Sequence, residues 1–275
     1  MENILYSKDE ADALTFSERN EAWRNESEIL KAQLIIDNID SKKSLIDIGC
    51  GWGSTLIKLK DKIEIIVGVD ESKDRSQNLI NNYPDIDFYK AHSSKLPIES
   101  QSFDVVLMSH IFHEIYLFNK ENDRDLSINE SNRVLKENGY LIIIDHAQPL
   151  YGKNEVVFKI KNKEKLEEFI HKFKASKINF KIEDNYIKSD IWSVHEFVTK
   201  IWSLSTKAEE LEMNETHLSL NLNDISKYIS QFGFKEEKSC FFNPISNLMK
   251  YYGIELISEN DWGRQLFLVM KKIKS

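Results

Sequence analysis

The sequence predicts an α/β fold in which a doubly wound, mostly parallel sheet carries helices on both faces. Three observations support this prediction. Short apolar segments alternate with helical patterns from residue 44 to residue 146, as parallel strands joined by helices require. The most apolar segments do not alternate polar and apolar residues, which is typical of strands covered on both faces. Past Pro149 the alternation stops, so a separate inserted segment begins there.

The predicted core begins with a helix over residues 17–40, in which apolar side chains recur at helical spacing. Strands and connecting helices then alternate along the chain. Strands are predicted in SLIDIG, IEIIVGVD, IDFYKA, SFDVVLMSH and YLIIIDH, at residues 44–49, 63–70, 86–91, 102–110 and 140–146. Connecting helices are predicted in STLIKLKD, KDRSQNLINNY and NKENDRDLSINESNRVLKENG, at residues 54–61, 73–83 and 119–139.

Residues 151–217 contain no such alternation and are predicted to form a mainly helical insertion. Two helices and a strand-like segment are predicted in it, at residues 164–176, 192–205 and 178–188. The chain then returns to the core with a helix at 222–234 and two closing strands, KEEKSCFF and GRQLFLVMKKI. The predicted organisation is therefore a core over residues 1–150 and 218–275, interrupted by the insertion at 151–217.

Composition and charge narrow the function classes. The chain has 275 residues and a formal net charge of −8, a balance that gives no reason to expect a nucleic-acid partner. Its two cysteines, Cys50 and Cys240, are too few for a disulfide framework or a CxxC metal site. The N-terminus lacks an apolar segment, and no stretch approaches the ~18 apolar residues of a membrane span. We expect a cytoplasmic protein that does not span a membrane; the sequence does not indicate its oligomeric state.

The segment LIDIGCGWGST at residues 45–55 holds three of the nine glycines of the chain. Gly49, Gly51 and Gly53 lie where a strand turns into a helix, so free N–H groups and a missing Cβ let a ligand approach the backbone. Their spacing differs from the G-x-G-x-x-G of dinucleotide sites. Asp47 precedes them, and an acid suits a ligand that carries an ammonium group better than it suits a pyrophosphate.

These residues resemble a known family. DIGCGWG is similar to the first motif, D/E-x-G-x-G-x-G, of the class I S-adenosylmethionine-dependent methyltransferases. Asp70 at the end of the second strand, the region KAHSSKLPIESQSFDVVLMSHIFHEI and the fifth strand ENGYLIIIDH follow in the order of that family. The resemblance covers about residues 40–150 and the segment after the insertion. It implies a Rossmann-like, mostly parallel seven-stranded sheet with an antiparallel C-terminal strand, and S-adenosyl-L-methionine as the cofactor.

The resemblance also implies which residues bind the cofactor, with Asp70 accepting both ribose hydroxyls. The implied set is Asp47, Gly49, Gly51, Trp52, Gly53, Asp70, Glu71, His92, Ser93 and Ser109. His92 departs from the family, which usually offers an aspartate to the adenine amino group there. A neutral imidazole nitrogen or a backbone carbonyl could accept that hydrogen bond instead. Trp52 has two interpretations, covering the ligand or packing beneath the next helix.

Candidate catalytic residues follow the fourth and fifth strands, at the edge of the sheet where open α/β folds bind ligands. They are His113, which we favour as a base, then His110, Glu114 and His146. A base assists methyl transfer when the acceptor is a hydroxyl or a protonated amine. Packing or capping of the following segment is the alternative role of His113. No matched third ligand accompanies His110 and His113, so we expect no metal site.

The insertion carries an aromatic helix with Trp192, Phe197 and Trp202. At helical spacing such residues are more often core than a substrate cage, although members of the family often roof the acceptor site with such a segment. Glu215 and His217 resemble an E-x-H tail of small-molecule members, which implies that both point back toward the active site.

The residues and the resemblance together predict an enzyme that transfers a methyl group to an O or N atom of a small-molecule acceptor. Two alternatives stay open. One is a methyltransferase that acts on RNA or protein, which the low arginine content and net acidity disfavour. The other is a non-catalytic protein that binds S-adenosylmethionine. The sequence does not identify the acceptor or the atom that is methylated.

Overall fold

A computed structural model describes residues 21–118, 121–149, 151–206, 208–218, 220–242, 249, 252–258 and 265–273. Parts of three predicted elements lie outside the described residues, at 17–20, 119–120 and 263–264. The chain divides into two compact units. The larger, here the sheet unit, comprises the described residues of 28–146, 220–240 and 266–275. The other, here the inserted unit, comprises the described residues of 1–27, 147–219 and 241–265.

Strands and helices follow one another along both units. The strands are β1 (Ser44–Ile48), β2 (Ile65–Asp70), β3 (Asp87–Lys90), β4 (Phe103–Ser109), β5 (Leu135–His146), β6 (Glu155–Ile160), β7 (Phe180–Ile182), β8 (Ile187–Asp190), β9 (Phe234–Phe242), β10 (Ile254–Leu256) and β11 (Gln265–Lys272). The α-helices are α1 (Glu21–Ile36), α2 (Ser54–Leu59), α3 (Gln77–Asn82), α4 (Phe112–Phe118), α5 (Glu121–Val134), α6 (Lys163–Lys172), α7 (Ile191–Lys200), α8 (Glu209–Asn214) and α9 (Leu222–Ser230). A 3₁₀ turn, Ile201–Ser203, follows α7 directly.

The main sheet has seven strands in the order β3-β2-β1-β4-β5-β11-β9. It is mostly parallel with an antiparallel pair, which confirms the predicted fold. The chain leaves β1 toward β2 and β3 and returns to β4 on the other side of β1, so the strand order reverses between β1 and β4. Asp47 on β1 lies beside Gly68 of β2 and Leu107 of β4. Ligands of open α/β sheets bind at the carboxyl ends of the strands at such a reversal.

Burial explains why the apolar strands lack alternation. Every residue of β1 is buried, as are Leu141 to Ile144 in β5. A strand with helices on both faces has no solvent-facing position, so apolar side chains occur in both sets of alternate positions. This burial makes the sheet a rigid support for the loops at its carboxyl edge.

The largest differences from prediction in the sheet unit lie at α5 and α4. Helix α5 ends at Val134 rather than at Gly139, because Leu135 already pairs with Phe103 of β4. The register then shifts, and Asn138 takes a left-handed conformation with φ of 61°. The segment after β4 forms helix α4, which the sequence did not predict.

The inserted unit contains helices and a four-stranded antiparallel sheet of order β10-β6-β8-β7. Helices α6 and α7 overlap the predicted helices but end earlier, at Lys172 and Lys200, and β7 and β8 form a hairpin that overlaps the strand-like segment. Strands β6 and β10 were not predicted. Because β10 pairs with β6, residues 254–256 are held in the inserted unit, although the sequence assigned them to the core.

The aromatic helix α7 lies in the core of the inserted unit. Phe197 packs against Phe169 with ring centroids 5.3 Å apart, and Val194 and Val198 are fully buried beside it. This packing agrees with the core interpretation of the aromatic pattern; Trp192 and Trp202 are half-buried. Within the described residues, no helix is both long and apolar enough to cross a bilayer.

Candidate active site

The glycine turn joins β1 to α2 and is tied to the next strand. Gly49 and Cys50 both donate their backbone N–H to the carbonyl of Val69, over 2.7 and 3.0 Å. Gly49 has a φ of +75°, and a Cβ there would lie 2.5 Å from Cγ1 of Ile111. Packing therefore requires glycine at this position.

Gly51 is glycine for a different reason. Its φ is +48°, and no atom of the described residues outside its chain neighbours lies within 4 Å of where a Cβ would be. Its N–H donates to Oδ2 of Asp70 over 2.8 Å. The turn thus exposes backbone at Gly51, where a ligand can approach it closely.

Asp70 at the end of β2 is held by two backbone donors. Oδ2 accepts from Gly51, and Oδ1 accepts from the N–H of Ser72 over 2.8 Å. Burial raises the pKa of Asp70, and these two hydrogen bonds oppose the rise. Each carboxylate oxygen has a second lone pair, so Asp70 can also accept hydrogen bonds from a diol.

Asp47 is a buried carboxylate beneath the turn, with 2% of its surface exposed. Its Oδ1 has no hydrogen-bond partner within the described part of the chain. Burial raises the pKa of Asp47 well above its usual value; Glu28 and Asp70 raise it further, and Lys31 opposes them. A buried carboxylate oxygen without a partner is costly and fits a ligand that brings a cationic donor.

The loop after β3 positions His92 and Ser93. Nδ1 of His92 lies 2.7 Å from Oγ of Ser94 and accepts the N–H of Ser94 over 3.3 Å. In the neutral ring this leaves the proton on Nε2, so the imidazole offers a donor there. The carbonyl of His92 accepts the N–H of Lys95, and Ser93 Oγ lies 2.8 Å from Ser127 Oγ. The contact of this loop with adenine stays a prediction.

The other predicted cofactor residues lie at the same edge of the sheet by sequence position. Glu71 follows β2 and is exposed, whereas Trp52 in the glycine turn and Ser109 at the end of β4 are half-buried. The half-burial of Trp52 is compatible with both of its predicted roles.

Three predicted histidines come together at the ends of β4 and β5. The ring centroids of His110 and His146 are 4.9 Å apart, and those of His113 and His146 are 6.3 Å apart. His110 takes a left-handed φ of 57° while its N–H donates to the carbonyl of Ile144. A non-glycine residue in this conformation is strained, and such strain is concentrated at functional sites.

Asp145 is the residue of this cluster that the sequence did not single out. Its Oδ1 lies 2.7 Å from Nδ1 of His113, and its Oδ2 accepts the N–H of His113 over 2.9 Å. Oδ1 also accepts the N–H of His146 over 2.7 Å. Burial would raise the pKa of Asp145, but His113 and His146 outweigh it and the pKa lies below its usual value. The sequence feature that could have indicated Asp145 is the presence of an acid in the apolar strand YLIIIDH.

The charge of Glu114 acts on Asp70 at the end of β2. Glu114 lies on α4 next to His113, is half-buried, and its charge contributes to the raised pKa of Asp70. The structure therefore brings the predicted catalytic residues and the ends of β1 and β2 to one edge of the sheet unit. Within the described ranges, no group of three or more histidine, cysteine or acidic residues could hold a metal ion.

One of the two predicted residues of the insertion, His217, belongs to a polar network with Glu196, Thr199 and Thr216. Glu196 accepts the hydroxyl of Thr216 and the N–H of His217, and Nδ1 of His217 lies 3.0 Å from Oγ1 of Thr199. Glu215 is buried in the same unit, and so is His195 on α7. The direction of Glu215 and His217 relative to the active site stays a prediction.

Comparison with known proteins agrees with this fold. Residues 46–143 match the model of a methyltransferase domain family. The ubiquinone/menaquinone biosynthesis C-methyltransferase of Campylobacter jejuni is 27% identical over 154 residues, which are 53% of this chain and 61% of that protein. The ubiquinone biosynthesis O-methyltransferase of Pelagibacter ubique is 33% identical over 103 residues, 36% of this chain and 40% of that protein. The chain thus spans less than two thirds of these relatives.

Solved structures with the same fold cover nearly the whole chain. One is a methyltransferase chain from a complex with the Haloferax volcanii Trm112 methyltransferase activator, with a TM-score of 0.55, 14% identity and coverage of 96% of this chain and 98% of that one. Another is an S-adenosylmethionine-dependent methyltransferase from Clostridium acetobutylicum, with a TM-score of 0.52, 14% identity and 96% coverage of both chains. At these identities the likeness establishes the fold.

Proposed function

We propose, from the match of residues 46–143 to a methyltransferase domain family, that the chain is an S-adenosylmethionine-dependent methyltransferase that acts on a small-molecule acceptor. The single observation that carries the proposal is Asp47. Its buried Oδ1, without a partner in the described chain, lies under a glycine turn at the reversal of strand order. The ammonium group of the cofactor's methionine part would supply a cationic donor to this oxygen.

The chain's own residues fit that cofactor. Asp47 would bind its ammonium group, Gly51 would let it approach the backbone, and Asp70 would accept the ribose hydroxyls. When bound, the cofactor supplies a methyl group activated on a sulfonium sulfur. The protein then has to orient the acceptor and, where the acceptor carries a proton, remove it.

We propose His113 as the residue that takes this proton, and an O or N atom as the site of methylation. A hydroxyl or ammonium acceptor must lose a proton during transfer, and His113 is the imidazole that a buried carboxylate holds in place. Methylation at carbon is a second candidate, favoured by the similarity to a quinone-biosynthesis C-methyltransferase. Product analysis separates the two, because the new methyl group resists ether or amine cleavage only when it is bonded to carbon.

Calorimetric titration with S-adenosylhomocysteine, the demethylated product, tests the cofactor assignment. We expect Asp70→Asn to weaken binding by about 5- to 150-fold, since it loses a charged acceptor worth ~1–3 kcal/mol. Asp87→Asn on the exposed edge of β3 is the matched control and should bind like wild type. Tighter binding of NAD than of the product by wild type would contradict the assignment.

Transfer of a labelled methyl group tests the activity. Wild-type protein is incubated with labelled cofactor and pools of hydroxylated, amine and quinone-type small molecules, with RNA and protein pools in parallel. Label in a small-molecule pool supports the proposal. Label only in RNA or protein, or none despite tight cofactor binding, favours one of the alternatives.

The insertion at residues 151–217 is proposed to act as a lid over the acceptor site. Ordering by a ligand would lower hydrogen exchange in this segment when S-adenosylhomocysteine and an acceptor are added. Equal exchange with and without both ligands would contradict this role.

A further inference from the structure

We propose that Asp145 is a positioning residue: it fixes the ring of His113 with the proton on Nδ1, so that Nε2 carries the lone pair that receives the acceptor's proton. This inference rests on the proposed function, since it assigns a role within the same reaction. The tautomer of His113 can be measured without any acceptor.

Asp145 contacts His113 at two points, the backbone N–H and the ring. Oδ1 lies 2.7 Å from the ring nitrogen Nδ1 of His113, and Oδ2 accepts the backbone N–H of the same residue over 2.9 Å. With the backbone and the ring tied to one carboxylate, the side-chain torsions of His113 have little freedom. Such a supported ring loses less entropy when it meets a substrate than a mobile one.

The charge of Asp145 selects the tautomer. An ionised carboxylate only accepts hydrogen bonds, so the ring nitrogen 2.7 Å from it has to be the donor. The backbone N–H groups of His113 and His146 also donate to this carboxylate, which favours its ionised form. In the neutral imidazole the other nitrogen, Nε2, then lacks a proton and can act as a base.

Packing alone does not explain an aspartate at this position. Asp145 is 0% exposed and follows four fully buried apolar residues of β5. An apolar side chain here would avoid the cost of removing a carboxylate from water. A structural alternative exists, because Asp145 accepts the N–H of His113 in the first turn of α4 and could serve only as a cap. The tautomer distinguishes the two roles.

With a hydroxyl acceptor, His113 would take the acceptor's proton at Nε2 while the acceptor oxygen bonds to the methyl carbon. The bound cofactor would supply that methyl group and keep the electron pair of the broken carbon–sulfur bond on sulfur. His113 ends as an imidazolium whose Nδ1–H faces the carboxylate of Asp145, and this charge pair stabilises it.

Other titratable groups surround His113 and have to be considered in any pH profile. His146 on β5 lies with its ring centroid 6.3 Å away, and His110 at the end of β4 lies 4.9 Å from His146. Glu114 follows His113 on α4. Single variants of His110 and His146 therefore accompany the measurements, so that a shift can be assigned to His113.

The first measurement is the tautomer of His113 in wild-type protein. Nitrogen-15 NMR of selectively labelled histidines reports which ring nitrogen is protonated, and His113→Gln identifies the signal. We expect the neutral form of the ring to carry its proton on Nδ1, with and without S-adenosylhomocysteine. A predominant Nε2–H form would overturn the proposal, whatever the activity.

The second measurement compares wild type with Asp145→Asn, whose amide can donate to Nδ1 and so favour the opposite tautomer. We expect kcat to fall by about 10²- to 10⁴-fold, while the affinity for S-adenosylhomocysteine changes by no more than about threefold. The rise of rate with pH should also move to lower pH, because the carboxylate that stabilises imidazolium is absent.

The outcomes separate this inference from the proposed function. An Asp145→Asn variant that melts at lower temperature but keeps kcat, pH profile and tautomer would show a structural cap and overturn the proposal. If Asp145→Asn does not fold, two other measurements decide whether Asp145 positions His113. They are the tautomer of His113 in wild type and the pH profile of His113→Gln. Absence of methyl transfer by wild type contradicts the proposed function and with it the catalytic role, whereas the tautomer still tests the positioning of His113.

Discussion

Gly51→Ala is the substitution that separates ligand binding from folding most sharply. A Cβ at this position would touch no atom of the described residues within 4 Å apart from its chain neighbours, so the fold has space for it. The cost to folding comes from the φ of +48°, which costs a non-glycine residue about 1–2 kcal/mol. For a chain of this size the melting temperature should fall by about 2–8 °C.

The same methyl group would occupy the space through which a ligand approaches the backbone. Overpacking by one methyl group costs about 1–3 kcal/mol, which corresponds to about 5- to 150-fold in affinity. We therefore expect Gly51→Ala to bind S-adenosylhomocysteine at least about fivefold more weakly while it remains folded at 25 °C. Calorimetric titration and thermal melting of the same preparation measure both quantities.

Gly49→Ala is the matched control within the turn. Its Cβ would lie 2.5 Å from Cγ1 of Ile111, so this substitution adds a clash to the backbone strain and should destabilise the fold more than Gly51→Ala does. If Gly51→Ala binds the product with wild-type affinity, no ligand approaches this turn, and the reasoning from the glycine motif is refuted.

Three further predictions concern buried and partly buried polar groups. Since folding raises the pKa of Asp47, its charge disfavours the folded state at neutral pH. Asp47→Asn should therefore raise the free energy of unfolding in urea by about 0.5–2 kcal/mol at pH 7, and should leave it unchanged below the ordinary aspartate pKa of ~3.9. The same variant should bind the cofactor more weakly. Lys200→Met leaves Glu212, 3.3 Å from Nζ, without its buried cation and should lower the free energy of unfolding by about 3–5 kcal/mol. Glu212→Gln in the same chain should restore part of this loss, because Glu196 also loses the charge of Lys200. Tyr228→Phe removes the hydrogen bond to Asp125 and should cost about 1.5–3 kcal/mol in the same assay; no loss would show that the contact is absent in solution.

The candidate site shows which residues a sequence can indicate. Gly49, Gly51 and Asp70 belong to short local patterns at strand ends, so their common position follows once the strands are recognised. Asp145 carries no local pattern. Its bond to His113 joins residues 32 positions apart and depends on the parallel register that sets Ser109 beside Ile144.

The sequence by itself determined the α/β class, the alternation of the main sheet and the glycine turn, because burial on both faces and the turn geometry each restrict the residue type at the position itself. Only the tertiary structure decided what depends on distant pairing. Buried and more exposed residues alternate along β6, but its pairing partners are β8 and β10. Strand β6 ends at Ile160, and β10 begins 94 residues later, at Ile254. The same holds for the partner of His113, because a hydrogen bond needs two atoms in one place and a sequence pattern describes each residue only among its neighbours.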